Sequence, residues 1–299
     1  MKTTRREWLA SSGAAALAAT LGPRVSVAAT TPAASRVKLS LAAYSFRKHL
    51  PDGSKKGTIT LFDLCEMCAD WGMPAIEPTS YYFSSEEPAY LHRLKSTAFR
   101  LGIDISGTAI RNDFCHPQAD GRAEAVAHVA KWTDHAAEFG APCIRIFAGN
   151  KHSEVSSEQA LAWTIENMKR TCDYAGTRGV YLAIENHGYL TGTAAEVLRI
   201  VDGVDHEWLG VNLDSGNFTS RPYENMEQLA PHAVNVQLKM DVVNDDGNGR
   251  LPGDYARILR ILSDAKYRGY VALEYEAEED PNTGFPKFLA AVRAAAESL

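Results

Sequence analysis

The sequence predicts an α/β fold, a (β/α)₈ barrel of parallel strands, on three observations. Eight short apolar segments alternate with eight segments of helical periodicity, a pattern typical of a closed parallel barrel. About 270 residues, in a chain that is 45% hydrophobic, are enough for one such barrel. The first predicted strand is followed by AAYSFRKHL, which lacks the Gly-rich phosphate turn of an open doubly wound sheet.

The strands are predicted from apolar runs rich in strand-forming residues, and the helices from apolar residues at helical spacing. The strands are predicted at 38–44, 73–77, 103–109, 142–147, 180–185, 209–214, 234–239 and 270–274. The helices are predicted near 59–71, 87–101, 121–139, 156–178, 193–203, 223–231, 253–267 and 283–298. A glycine lies just past five of these helices, where a left-handed residue is favoured: Gly72, Gly102, Gly140, Gly179 and Gly269.

Residues 1–29 are predicted to be a cleaved twin-arginine export signal. Arg5 and Arg6 precede a weakly hydrophobic, Ala-rich run, and the small residues Ala28 and Ala29 suit cleavage. The run is too short and too Ala-rich for a convincing transmembrane helix, although an uncleaved anchor stays open. We therefore expect a periplasmic protein with a linker at 30–37 and a single barrel domain at 38–299.

Composition argues against nucleic-acid binding and against a disulfide framework. Without residues 1–29 the chain has 27 Lys and Arg against 36 Asp and Glu, a net charge of −9, and no basic stripe. The expected partner is a small molecule, with no membrane contact beyond export, and a homo-oligomer stays open. The five cysteines are irregularly spaced; Cys65 and Cys68 spell C-x-x-C within a helical pattern, which favours two buried core residues.

The ends of the last four predicted strands carry polar side chains. Glu185 closes VYLAIE, Asp214 closes LGVNLD, the next strand ends with Gln237 and Lys239, and Glu274 closes YVALE. Strand ends of a parallel barrel meet at one rim, where ligands bind. Three carboxylates there would repel one another unless a cation lay among them. All-oxygen ligation favours one Mg²⁺ or Mn²⁺ ion over Zn²⁺. Taken alone, each carboxylate also has a purely structural explanation, as a cap or as a member of an ion pair.

The segments LAIENHG, VNLDSGN, VQLK and GYVALE resemble the sugar phosphate isomerase/epimerase superfamily of xylose isomerase-like barrels, which includes D-tagatose 3-epimerase and inosose dehydratase. The resemblance covers the whole chain after the signal. It implies that the metal is held by Glu185, Asp214, Gln237 and Glu274.

Two positions depart from the family pattern. Gln237 stands where relatives commonly have His, and Asn217 stands where many have His. Endonuclease IV, in the same superfamily, needs a histidine-rich three-zinc cluster, and this acidic chain offers few candidates.

The resemblance implies a divalent-metal-dependent isomerase or epimerase that abstracts the proton α to a carbonyl of a keto-sugar or cyclitol. Glu185 and Glu274 would be the catalytic pair, one removing the proton and the other returning it. Two alternatives stay open. One is a lyase or dehydratase that eliminates a β-substituent from a 3-keto sugar or glycoside. The other is a non-catalytic sugar-binding barrel, suggested by Gln237 and Asn217.

Further residues are assigned to substrate binding. His187, two residues after Glu185, is placed to contact a hydroxyl or move a proton, and Lys239 to hold a substrate oxygen or stabilise an enolate. An aromatic ring at the end of the first strand suits the apolar face of a sugar. Arg145 is expected inside the barrel, paired with a carboxylate and without a catalytic role. The substrate-binding set is Tyr44, His187, Lys239, Asn217 and Glu77.

Overall fold

The computed structural model describes residues 37–299 of the chain. The predicted export signal at 1–29 lies outside the described residues, as does the predicted linker apart from Val37. Between residues 37 and 299, no helix combines the length and the apolar character that crossing a membrane requires.

The predicted barrel is confirmed, with all strands of the main sheet parallel. The strands are β1 (Lys38–Ala42), β2 (Ala75–Glu77), β3 (Asp104–Ile105), β4 (Thr108–Ala109), β5 (Cys143–Ile146), β6 (Tyr181–Glu185), β7 (Leu209–Asp214), β8 (Ala233–Lys239), β9 (Asp241–Val243), β10 (Arg250–Pro252) and β11 (Tyr270–Glu274). The sheet order is β3-β2-β1-β11-β8-β7-β6-β5-β4, and β9 and β10 form a separate antiparallel pair.

The third barrel strand, predicted as one segment at 103–109, is divided in two. β3 pairs with β2, and β4 pairs with β5. Between them, the backbone N–H of Ser106 donates to the Ile76 carbonyl at 2.9 Å. At Gly107 an added Cβ would lie 2.9 Å from Cys143 Sγ, so only glycine fits this close approach. The chain therefore changes from pairing with β2 to pairing with β5 at Ser106 and Gly107. Because β3 and β4 are the two ends of the sheet order, this short segment connects those ends.

The eight predicted helices are present, each within a few residues of its predicted bounds. They are α1 (Leu61–Asp70), α2 (Pro88–Arg100), α3 (Ala119–Phe139), α4 (Ser157–Arg178), α5 (Ala194–Val204), α6 (Pro222–Leu229), α7 (Tyr255–Asp264) and α8 (Pro281–Glu297). Side-chain caps define two of the starts. Thr60 forms a capping box with Asp63 before α1, and Thr193 forms one with Glu196 before α5.

Four of the five predicted left-handed glycines have a positive φ: Gly72, Gly102, Gly140 and Gly179. The prediction for Gly269 is wrong, because Lys266 takes the left-handed position after α7, with φ 61°. Gly269 is needed for a different reason. An added Cβ would lie 2.3 Å from Tyr267 Oη, whose hydroxyl donates to the Tyr270 carbonyl at 2.6 Å.

The β9–β10 hairpin was not predicted from the sequence. Its loop, 244–249, is polar and contains Gly247 and Gly249, both with positive φ. Short strands around such a loop carry too few apolar residues to show a period of two.

The core fills the barrel and the space between sheet and helices. Leu41, Ile144 and Leu213 from the strands are fully buried, as are apolar residues of every helix. All five cysteines are free thiols and buried, which confirms Cys65 and Cys68 as core residues.

Candidate active site

The predicted rim residues end four neighbouring strands. Glu185, Asp214, Lys239 and Glu274 are the last residues of β6, β7, β8 and β11. The strand register places Glu274 beside Lys239 and Asp214 beside Gln237. The carboxyl ends of parallel strands share one end of a barrel, so these side chains meet where the sequence predicted a binding site.

A cavity of about 620 Å³ lies at this rim. Among the predicted site residues it is lined by Tyr44, Glu185, His187, Gln237, Lys239 and Glu274. Glu77 and Asp214 are completely buried and do not line it. A second cavity of about 630 Å³ is lined by Asn217, and it shares Lys239 and Glu276 with the first.

Four buried side chains form a closed hydrogen-bonded ring beneath the first cavity. Asn235 Nδ2 donates to Glu77 Oε2 at 2.6 Å and to Asn212 Oδ1 at 2.7 Å. Asn212 Nδ2 donates to Gln237 Oε1 at 2.8 Å, and Gln237 Nε2 donates to Glu77 Oε1 at 2.7 Å. Both oxygens of Glu77 therefore face protein amides, and the structure does not bring Glu77 to the cavity as a substrate-binding residue. We call these four residues the amide ring.

Lys239 is surrounded by carboxylates. Its Nζ lies 3.5 Å from Asp214 Oδ2, 3.3 Å from Glu274 Oε1 and 3.2 Å from Glu276 Oε2. The Lys239 side chain is only 9% exposed, so these attractions are weakly screened by water. Burial favours the neutral amine, but Asp214, Glu274 and Glu276 outweigh it and raise the pKa of Lys239 above its usual value. Lys239 is therefore an ammonium ion at neutral pH.

Burial also separates the pKa values of the carboxyl groups. It raises the pKa of Asp214 to about 7 and that of Glu274 well above its ordinary value, in both cases against the lowering effect of Lys239. Glu276 is partly exposed, and there burial is outweighed by the charge of Lys239, hydrogen bonds from Glu274 and Lys239 and the charge of Arg47, which together lower the pKa. Carboxyl groups with divergent pKa values in one cleft are typical of acid–base sites.

Glu185 is held by two side chains. Its Oε2 lies 2.9 Å from Nε of Arg145, and its Oε1 accepts a hydrogen bond of 2.8 Å from Asn217 Nδ2. Arg145 is buried, donates from Nη1 to the Ile110 carbonyl at 2.9 Å, and has its guanidinium 4.1 Å from the centre of the Phe147 ring. The pairing of Arg145 with a carboxylate was predicted. Asn217, assigned to substrate binding, positions Glu185.

Tyr44 and His187 lie on the wall of the cavity. Tyr44 is half-buried, and its ring contacts the Arg47 guanidinium 5.0 Å from the ring centre. His187 is exposed, with its ring centre 4.7 Å from that of Phe147. Both side chains are therefore available to a ligand in the cavity.

The four predicted metal ligands do not fit a divalent ion in this arrangement. Both polar atoms of the Gln237 amide are used within the amide ring, and Glu185 faces Arg145 and Asn217. Asp214 Oδ2 and Glu185 Oε2 make no hydrogen bond, but each faces a cationic side chain. Between residues 37 and 299, no three His, Cys, Asp or Glu side chains cluster as a metal site requires.

Two residues that line the site, Glu276 and Arg145, were not predicted from the sequence to do so. Glu276 contacts Lys239 and lines both cavities, and its position two residues after Glu274 was a usable signal, since alternate residues of an extended chain share a face. Arg145 lines the first cavity, although no role there was predicted for it. A charged residue inside the apolar strand CIRI was the corresponding signal.

Three comparisons describe what the chain resembles. It is 26% identical over 216 residues to a 3-dehydroshikimate dehydratase of Bacillus anthracis, covering 68% of this chain and 71% of the relative. D-psicose 3-epimerase from Clostridium cellulolyticum H10, solved with D-tagatose, superposes with a TM-score of 0.72 at 15% identity, over 87% of this chain and 99% of that one. A xylose isomerase-like TIM barrel protein from Mycobacterium smegmatis, solved in complex with magnesium, gives a TM-score of 0.68 at 16% identity, over 87% and 98% of the two chains.

The relatives thus include both a sugar epimerase and a dehydratase on the same barrel. The family model described as xylose isomerase-like TIM barrel matches residues 65–295, which takes in β2 to β11 and nearly all of the helices. With its fold, its rim of strand-end carboxylates and this match, the chain belongs to the xylose isomerase-like TIM barrel family.

Proposed function

We propose that the protein is an enzyme that removes the proton α to a carbonyl of a keto-sugar or cyclitol, acting as an isomerase or epimerase. The observation that carries this proposal is the lining of one cavity by Glu185, Glu274, Lys239 and Arg145. Two carboxyl groups can remove and return a proton. The cations beside them are suited to the negative charge that develops on the carbonyl oxygen.

Each residue has a role in this proposal. Glu185, positioned by Arg145 and Asn217, removes the proton, and the electron pair moves onto the carbonyl oxygen. Glu274, whose pKa is raised by burial, donates a proton to carbon. His187 and Tyr44 contact the hydroxyls and the apolar face of the substrate.

Solvent deuterium exchange tests the proposal. Keto-sugars, cyclitols and 3-keto-glycosides are incubated in D₂O with the protein, with EDTA or with added Mn²⁺ or Mg²⁺, and the α-carbon is followed by NMR. We expect incorporation into at least one class of substrate. Sugar binding without exchange under any condition would favour a non-catalytic sugar-binding barrel instead.

The second cavity favours a second candidate, β-elimination from a keto-glycoside. It adjoins the first at Lys239 and Glu276, and its wall includes Met240, Leu251 and Tyr255. A glycoside with its keto-sugar in the first cavity would extend its aglycone towards this partly apolar surface. The enolate would then break the bond from the β-carbon to the glycosidic oxygen, and that oxygen would take a proton from Glu274, so that the aglycone leaves as an alcohol.

Replacing Leu251 tests the second cavity. Leu251 is 56% exposed on β10, and burying it against an aglycone would contribute roughly 1–2 kcal/mol, about tenfold in affinity. Leu251→Asp should therefore raise KM about tenfold for glycosides with apolar aglycones and leave KM for free keto-sugars unchanged. Phe99→Asp, at an 83% exposed residue of α2 that lines neither cavity, is the matched control. Equal KM changes for both substrate classes would show that the aglycone does not bind to this surface.

We also propose that the protein is exported to the periplasm. The proposal rests on the twin-arginine pattern at Arg5 and Arg6. Cell fractionation tests it, and retention of the full-length protein in the cytoplasmic fraction would count against it.

A further inference from the structure

We propose that the ammonium group of Lys239 is the resident cation of the carboxylate cluster, in place of a divalent metal, and that the chemistry proceeds without a metal ion. This inference rests on the proposed function and extends it to the cofactor. It is argued from three observations at the rim.

The first observation is the position of Lys239 Nζ. It lies within 3.5 Å of oxygens from Asp214, Glu274 and Glu276, and two of these residues, Asp214 and Glu274, belong to the predicted ligand set. A cation is needed where several carboxylates meet. Lys239 supplies that charge from the protein itself, so a metal bound to Asp214 and Glu274 would share its oxygens with a buried ammonium of the same sign.

The second observation is the amide ring. Gln237 could offer a metal only its Oε1 atom, which already accepts from Asn212, while Nε2 donates to Glu77. Turning the amide towards a metal would leave the Asn212 donor and the Glu77 carboxylate without these partners. Both residues are fully buried, and a buried polar group without a partner is costly. The ring therefore holds Gln237 away from metal coordination.

The third observation is that Glu185 is also held by protein groups. Arg145 faces one oxygen and Asn217 donates to the other. Asp214 Oδ1 accepts a hydrogen bond of 2.7 Å from the Gly216 backbone N–H, and Glu274 faces Lys239. Each of the four predicted ligands is therefore held by a donor or a cation of this chain.

Lys239 can perform the electrostatic part of the reaction. Proton transfer from the α-carbon to Glu185 leaves an enolate, and an ammonium beside its oxygen stabilises that charge. Glu274 then returns a proton to carbon, and proton exchange with solvent restores the Glu185 carboxylate and the Glu274 carboxylic acid, so protons balance and no electrons are gained or lost. No oxidant, reductant or further co-reactant is needed.

Isothermal titration with Mn²⁺ tests the inference on the wild type and on Lys239→Met, Lys239→Arg and Gln237→His. We expect Lys239→Met, which exposes the carboxylates, to bind Mn²⁺ at least about tenfold more tightly than wild type. Lys239→Arg keeps the cation and should resemble wild type. Gln237→His adds an imidazole but retains Lys239, and should not gain tight binding. Lys131→Met, which removes a half-exposed lysine paired with Glu86, is the control.

Thermal unfolding checks that each variant folds, because Gln237→His breaks two hydrogen bonds of the amide ring. The wild type and Lys239→Arg decide the matter if Lys239→Met or Gln237→His does not fold. Stoichiometric Mn²⁺ binding to the wild type, or tight binding to Gln237→His, would overturn the inference. Exchange of the α-proton in EDTA would support both proposals, whereas exchange only with added metal would overturn this inference and leave the proposed function standing. If no substrate exchanges while wild type and Gln237→His reject Mn²⁺, the function fails and the assignment of Lys239 as resident cation stands.

Discussion

Glu274→Gln is expected to abolish most of the α-proton exchange. The substitution keeps the size of the side chain and an oxygen beside Lys239, but removes the group that gives or takes a proton. Loss of general acid–base function typically costs about 10² to 10⁴ in rate. Glu274 is buried at the end of β11 and lines the first cavity, so little solvent can take over the role. The rate of deuterium incorporation at the α-carbon, under saturating substrate, measures the effect.

Glu66→Gln is the matched control for this prediction. Glu66 is an exposed residue of α1, outside the cavity, and its substitution should leave the exchange rate unchanged. Thermal unfolding of both variants separates a lost proton donor from a lost fold. A Glu274→Gln protein that folds and exchanges at the wild-type rate would remove Glu274 from the mechanism.

Arg145→Met is expected to lower the free energy of unfolding by about 3–5 kcal/mol, because it leaves the buried carboxylate of Glu185 without its cation. The two side chains are 8% and 4% exposed, so water cannot compensate for the loss. The midpoint of urea unfolding, followed by circular dichroism, measures the change.

Arg178→Met is the control for charge removal in general. Arg178 pairs with Asp134 on the surface, where both side chains are more than 40% exposed, and the loss should be below about 1 kcal/mol. The double variant Arg145→Met Glu185→Leu should regain stability over Arg145→Met alone, since no buried charge is left unpaired. If Arg145→Met and Arg178→Met lose the same stability, the buried pair is not the cause.

The fold could be predicted because its signals are local. Each barrel strand shows its own apolar run and each helix its own periodicity, and Thr60 and Thr193 mark helix starts through side chains three residues away. The division of the third strand at Ser106 and Gly107 could not be predicted. It depends on which neighbour each half pairs with, and that is decided by residues far away in the chain.

The candidate site could be predicted in position but not in its contacts. Parallel strands bring Glu185, Asp214 and Glu274 to one rim whatever their partners are. Sequence does not show that the required positive charge comes from Lys239, because its three contacts depend on the direction of one flexible side chain. The bond from Gln237 to Glu77 joins residues 160 positions apart.

The amide ring has a consequence for how this site can change by mutation. Each of its four members satisfies a donor or acceptor of another, so replacing one alone leaves a buried neighbour without its partner. Substitutions at Glu77, Asn212, Asn235 and Gln237 should therefore be strongly epistatic. A lineage that exchanges Gln237 for histidine would first need a permissive change at Glu77 or Asn212. We therefore do not expect a single substitution to convert a rim centred on Lys239 into one that binds a metal ion.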